Sequence, residues 1–134
     1  FSICIFDLDY FKGVNDTYGH FAGDIVFKTI AQETQKNLRN IDHIARYGGE
    51  EFILILTNVE KAQAIHCAER MRKLIKQIEY ENMPPDFRMT ISVGVTEFRQ
   101  SEIIQQAINR ADTALYRAKA NGRDRVEYEP AAET

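Results

Sequence analysis

Two kinds of hydrophobic periodicity alternate along this chain, and their order leaves few ways to fold it. Residues 2–8 form a short apolar run bounded by polar residues, the pattern of a strand. Residues 9–17, with Gly13 and Asn15-Asp16 as turn and cap residues, read as a loop. Ile25, Val26, Ile30, Thr34 and Leu38 then predict the inner face of a helix over 23–38. Residues 42–47 and 52–57 are strand-like runs around Gly48-Gly49-Glu50-Glu51, which is a hairpin signal. Ala64, Ala68, Met71, Ile75 and Ile78 mark the cleanest helix, over 60–78. After the break at Pro84-Pro85, Phe87, Met89, Ile91, Val93 and Val95 alternate with polar or small residues, as in a half-buried strand. Ser101 is placed to cap a last helix, with Ile104, Ile108, Ala111, Leu115 and Ala118 inward and Asn121-Gly122 at its end. Residues 125–129 predict a short final strand.

This order predicts an α+β fold. Its first six elements are the split βαβ arrangement of a ferredoxin-like domain, with a central, mostly antiparallel sheet flanked by helices. The 134 residues fit one domain spanning 1–134. The chain starts so abruptly, on strand-like residues, that we expect a piece of a longer protein. No apolar run approaches the roughly 20 residues of a membrane span. A net charge of −3 argues against a nucleic-acid polymer as partner. Cys4 and Cys67 lie in apolar patterns without a CxxC pair, which predicts reduced, buried thiols and a cytoplasmic setting. His20, His43 and His66 lack metal-ligand spacing.

In a ferredoxin-like sheet the first and third strands are antiparallel neighbours. Asp7 and Asp9, at the end of the first strand, then meet Glu50 and Glu51 in the hairpin turn. Carboxylates this close repel unless protons or cations intervene. Hard oxygen ligands suit Mg²⁺, which takes one or two carboxylates plus substrate phosphates. The residues alone leave a second reading, a polar turn with its acids solvated at a sheet edge. The glycines let a base or phosphate approach the backbone closely.

The sequence resembles the GGDEF-domain family of diguanylate cyclases, in its GGEEF form. The resemblance rests on Phe6-Asp7-Leu8-Asp9-Tyr10-Phe11-Lys12-Gly13-Val14-Asn15-Asp16, on Thr17-Tyr18-Gly19-His20 and on Gly23-Asp24. It continues in Arg46-Tyr47-Gly48-Gly49-Glu50-Glu51-Phe52, in Ile91-Ser92-Val93-Gly94-Val95, and in Ala111 to Lys119 with Gly122-Arg123. It implies a nucleotidyl-cyclase and polymerase-palm-like domain that condenses two GTP into cyclic di-GMP and releases two pyrophosphates. Two such domains would face each other as a homodimer.

By the same resemblance Asp7, Glu50 and the Leu8 carbonyl bind Mg²⁺, or Mn²⁺ in its place. Glu50 helps deprotonate the 3′-hydroxyl, and Glu51 is a second acid. Asn15 and Asp24 bond the guanine edge, and Gly48 and Gly49 keep side chains out of the nucleotide's path. Phe11, Lys12, Lys119 and Arg123 take the terminal phosphates. Arg39 and Asp42 form the RxxD pair of a product-inhibition site that binds cyclic di-GMP, completed in some relatives by an arginine at the position of Arg70 from a neighbouring domain. An upstream sensory or receiver domain is implied for the full-length protein, membrane-anchored through preceding segments or not. Two other readings stand beside this one. One is a non-catalytic module that binds GTP or cyclic di-GMP. The other is a mononucleotide or hybrid cyclase that uses ATP.

Overall fold

The structure is a computed structural model, and it describes residues 1–131. The elements run β1 (Ser2–Leu8), α1 (Phe11–Tyr18), α2 (His20–Lys36), β2 (His43–Arg46), β3 (Glu51–Leu56), α3 (Lys61–Gln77), β4 (Ile91–Glu97), α4 (Ile104–Ala120) and β5 (Arg125–Tyr128). The sheet order is β2-β3-β1-β4-β5. All pairs are antiparallel except β4 with β5. This is the expected ferredoxin-like sheet with one strand added.

The pleat sends alternate side chains of β1 to opposite faces, and both faces are covered. Cys4, Phe6 and Leu8 join Phe52, Leu54, Val93 and Val95 in a core that also takes Val26 and Ile30 of α2 and Ala64, Ala68 and Ile75 of α3. Ile3, Ile5 and Ile53 meet Ala107, Ala111 and Leu115 of α4 on the other face. Cys4 is buried and Cys67 half-buried, and both are free thiols.

Several expectations are corrected. Residues 9–17 are largely helix, because Phe11 and Val14 share one buried face of α1. Gly19, at φ 90, separates α1 from α2, so α2 begins at His20. β4 starts at Ile91, not at Phe87. It is also buried on both faces, since Ser92, Gly94 and Thr96 lie beneath α4 and not in solvent. Ser101 does not cap α4. The N-cap is Ile103, whose N–H donates to the Gln106 side chain. Ile104 faces outward, and Ala107 takes the buried place expected of it.

Arg110 fastens α4 to the end of β4. It donates to Thr96 Oγ1 at 3.0 Å and the Glu97 carbonyl at 2.6 Å, and pairs with Glu102. That pairing holds the Glu102 carboxyl at about 2, well below the ordinary 4.5. A depressed carboxyl stabilises the fold above the unfolded value and loses that contribution as pH falls through the folded one. Glu102→Gln should therefore cost about 1–2 kcal/mol at pH 7, allowing for solvent screening, and almost nothing near pH 2. Urea midpoints of parent and variant across that range would show it. An equal gap at both ends would refute the ion pair's role.

Candidate active site

The central strand delivers Asp7 to the end of the sheet, opposite Glu51 on β3 and Ser92 on β4. Asp7 follows Ile3 and Ile5 in the pleat, so it shares the α4 face. There the Lys119 ammonium, from the last turn of α4, donates to Asp7 Oδ2. Asp7 is only 3% exposed, and its Oδ1 accepts no hydrogen bond. The Leu8 N–H donates to the Glu50 carbonyl at 3.2 Å, which draws the hairpin turn against the end of β1.

The acids strain against one another. Burial, then the Asp7 charge, holds the Glu50 carboxyl above its ordinary value, and Lys119 only partly offsets this. Burial, then Asp7 and Asp112, does the same to Glu51. Asp9 does not belong to this group. Its carboxylate accepts from Thr90 Oγ1 and Ser92 Oγ at 2.7 Å each and from the Asp124 N–H at 3.0 Å. It joins β4 and the α4–β5 loop to β1.

Among the described residues no three acid, imidazole or thiol side chains form a metal cage. Two carboxylates and a backbone carbonyl still suit Mg²⁺, whose remaining positions go to substrate phosphates and water. The unpartnered, buried Asp7 Oδ1 beside Glu50 is the observation that fits a cation here. Tyr10, left-handed at φ 58, leads into α1, and no side chain caps the helix. The first N–H groups of such a helix lack intrahelical partners and favour anions. Phe11 is buried, so its backbone alone is available, while the Lys12 side chain is exposed. Arg123 places its guanidinium 4.7 Å from the Tyr10 ring centroid. Lys119 and Arg123 thus flank the acids and the α1 start, but Lys119 rests on Asp7 and not in the open.

Asn15 lies against Gly23, and an added Cβ there would fall 1.8 Å from Asn15 Oδ1. That oxygen is buried without a hydrogen-bond partner. Asp24, next along α2, is exposed. α1 and α2 therefore bring the two expected base readers together, and Gly23 makes the close approach possible. Arg46 holds the hairpin turn. It donates to the Gly48 and Gly49 carbonyls at 3.2 and 2.7 Å and lies 4.3 Å over the Phe27 ring. Gly23 and Arg46 were not among the expected site residues, although each opens one of the motifs, Gly23-Asp24 and Arg46 to Phe52.

Arg39, Asp42 and Arg70 lie well away from these acids, around one cavity of about 420 Å³ with His66 and Cys67. Arg39 forks onto Asp42 at 3.1 and 2.9 Å and also donates to the Thr57 carbonyl at 2.6 Å. Burial raises the Asp42 carboxyl, but the bonds from Arg39 and the Thr57 N–H outweigh it and hold the group below its usual range. Arg70 donates to the Asn37 carbonyl at 3.1 Å. Arg70 lines this pocket in its own chain.

Sheet order, helix placement and the acids at the end of the central strands define an α+β domain of the nucleotidyl-cyclase and polymerase-palm kind. The family model "Diguanylate cyclase, GGDEF domain" matches residues 1–125. Diguanylate cyclase A of Treponema denticola is 46% identical over 93% of this chain and 34% of its own length. Diguanylate cyclase DgcP of Pseudomonas aeruginosa is 42% identical over 93% of this chain and 19% of its own length. The active GGEEF domain of a Vibrio cholerae diguanylate cyclase superposes with a TM-score of 0.89 at 32% identity, covering 98% of this chain and 83% of that one. The GGDEF domain of DgcB from Caulobacter crescentus, solved in complex with c-di-GMP, gives 0.88 at 32% identity over 95% and 76%. The chain belongs to the GGDEF-domain family of diguanylate cyclases. It spans about a third or less of the two curated relatives' lengths. Among the described residues no helix is long and apolar enough to cross a membrane.

Proposed function

We propose that this domain condenses two GTP into cyclic di-GMP, each domain of a homodimer holding one nucleotide. The observation that carries this reading is the buried, half-unpartnered Asp7 beside the raised Glu50, next to the uncapped start of α1. Asn15 and Asp24 read the guanine edge, the carboxylate accepting from its N–H groups. The α1 backbone at Phe11 and Lys12, with Lys12, Lys119 and Arg123, takes the terminal phosphates. Gly48 and Gly49 keep the turn free of side chains where the nucleotide passes. Mg²⁺ or Mn²⁺, held by Asp7, Glu50 and the Leu8 carbonyl, would neutralise phosphate charge. Glu50 helps take the proton from a 3′-hydroxyl, with Glu51 beside it. The freed oxygen bonds the α-phosphorus of the facing GTP, and the bond to pyrophosphate breaks. Two such events close the ring and release two pyrophosphates. The facing arrangement matters because orientation supplies much of the rate in a reaction between two bound substrates.

A cytoplasmic setting follows from GTP as substrate. Upstream sensory or receiver segments, membrane-anchored or not, bring two domains together. The test is turnover: concentrated protein with GTP and Mg²⁺, cyclic di-GMP followed by chromatography, and ATP alone in parallel. Product from GTP supports the reading, and product from ATP supports the hybrid cyclase. Tight GTP binding without product, even when a fused dimerising helix pairs two domains, identifies a binding module.

The cavity around Arg39, Asp42 and Arg70 binds the product. Arg39 and Arg70 offer guanidinium planes for stacking and phosphate contact, and Asp42 orients Arg39. Arg39→Ala should weaken cyclic di-GMP binding at least about tenfold by calorimetry and relieve product inhibition. Unchanged binding would remove this site from the account.

A further inference from the structure

The α4–β5 connection contains the most contorted backbone of the described residues. Gly122, Arg123 and Asp124 have φ of 119, 63 and 47 in succession. A left-handed backbone suits glycine and is tolerated by Asp and Asn, but a long side chain such as arginine adopts it only when its surroundings hold it there. The hold falls on Asp124. Its carboxylate receives Arg72 Nη1 at 2.8 Å and Lys76 Nζ at 2.5 Å, both from α3. Its N–H donates to the buried Asp9 carboxylate at 3.0 Å. Arg72 is itself fixed by Glu69, at 2.9 Å. Immediately before this anchor, Arg123 lies over the Tyr10 ring at the entrance to α1.

We propose that Asp124 is a positioning residue for nucleotide binding: by tying the loop to α3 and β1, it holds Arg123 where the terminal phosphates of the bound nucleotide arrive. This rests on the GTP reading above. Burial of the Asp124 carboxyl is outweighed by Lys76 and Arg72, which keep it charged and paired. The clamp acts on phosphates alone. The guanine readers Asn15 and Asp24 lie on α1 and α2, and neither touches the loop through these bonds. A purely structural clamp would instead weaken the whole site, or only the fold.

Asp124→Asn keeps a residue that accepts the left-handed backbone and removes the charge pairing with α3. Calorimetry with Mg²⁺ would compare a non-hydrolysable GTP analogue with GMP, which lacks the terminal phosphates. In the variant the GTP analogue should bind about five- to tenfold more weakly, with GMP unchanged. Arg123→Asn should show the same pattern, and the double variant should lose no more than either alone. If Asp124→Asn fails to fold, Arg72→Met carries the comparison, since it breaks the same clamp from the helix side. Equal losses for both nucleotides, or none for either, would overturn the proposal. A parent protein that binds neither nucleotide would sink the GTP reading first, and this proposal with it.

Discussion

Glu50→Gln should yield a folded protein whose cyclic di-GMP turnover falls at least about 10³-fold, since on the proposed function it loses a metal-binding and proton-accepting oxygen together. The same variant should be more stable than its parent. The raised Glu50 carboxyl means that its ionised form destabilises the native state. A group whose folded value lies above its unfolded one favours folding at low pH, and that contribution is lost as pH rises through the folded value. Glutamine keeps the shape and carries no charge at any pH. In chelator at pH 8 the variant should melt at a higher temperature than its parent. The gain should shrink as pH falls and the parent takes up its proton. Thermal melts at several pH values, beside the turnover assay, test both halves. A fully active variant would remove Glu50 from catalysis, and one less stable at every pH would show that Glu50 does not strain against Asp7.

Gly94→Ala should be the most damaging small change in the sheet. Gly94 pairs with Ile5 in the middle of β4, beneath α4. An added Cβ would sit 2.0 Å from the Ala111 carbonyl oxygen, 2.4 Å from the Leu115 nitrogen and 3.0 Å from the Leu115 Cα. All three are helix backbone, so no side chain can swing aside, and α4 must lift. Overpacking of that kind costs about 3 kcal/mol or more, a large share of the roughly 5–15 kcal/mol that holds a domain together. α4 also carries Lys119, so contact with Asp7 should loosen as well. At Gly49 a Cβ would meet nothing within 4 Å, and alanine there should change stability by less than about 0.5 kcal/mol. Urea unfolding of the two variants makes the comparison, and similar midpoints would refute the account of Gly94.

The sheet was legible because five short runs carry period-two or continuous apolar patterns, and the helices α2 to α4 because alanine and branched residues recur at helical spacing. α1 was not, because Gly13, Asn15, Asp16 and Thr17 favour turns, and only Phe11 and Val14 show its buried face. The double burial of β4 was hidden for a related reason. Ser92, Gly94 and Thr96 look like solvent-facing positions, yet they are small because a helix lies on them. In the candidate site, the meeting of Asp7 with the hairpin turn followed from topology. The Lys119 contact to Asp7 joins residues 112 positions apart, and no local pattern announces it. Asp9 shows the reverse case, an acid that looks available and is already held by Thr90, Ser92 and Asp124.

Phe6 stacks on Phe52 at 4.9 Å, Phe52 on Phe27 at 4.5 Å, and Arg46 lies over Phe27 while gripping the two glycine carbonyls. The interior and the hairpin turn are thus one continuous stack, not a scaffold with a loop attached. Substitutions at Phe27 or Phe52 that leave the domain folded should still move the turn by fractions of an ångström, a distance to which catalytic alignment is sensitive. For these aromatic positions, the range of residues a lineage can accept is then narrowed by the alignment of the turn as well as by the melting temperature.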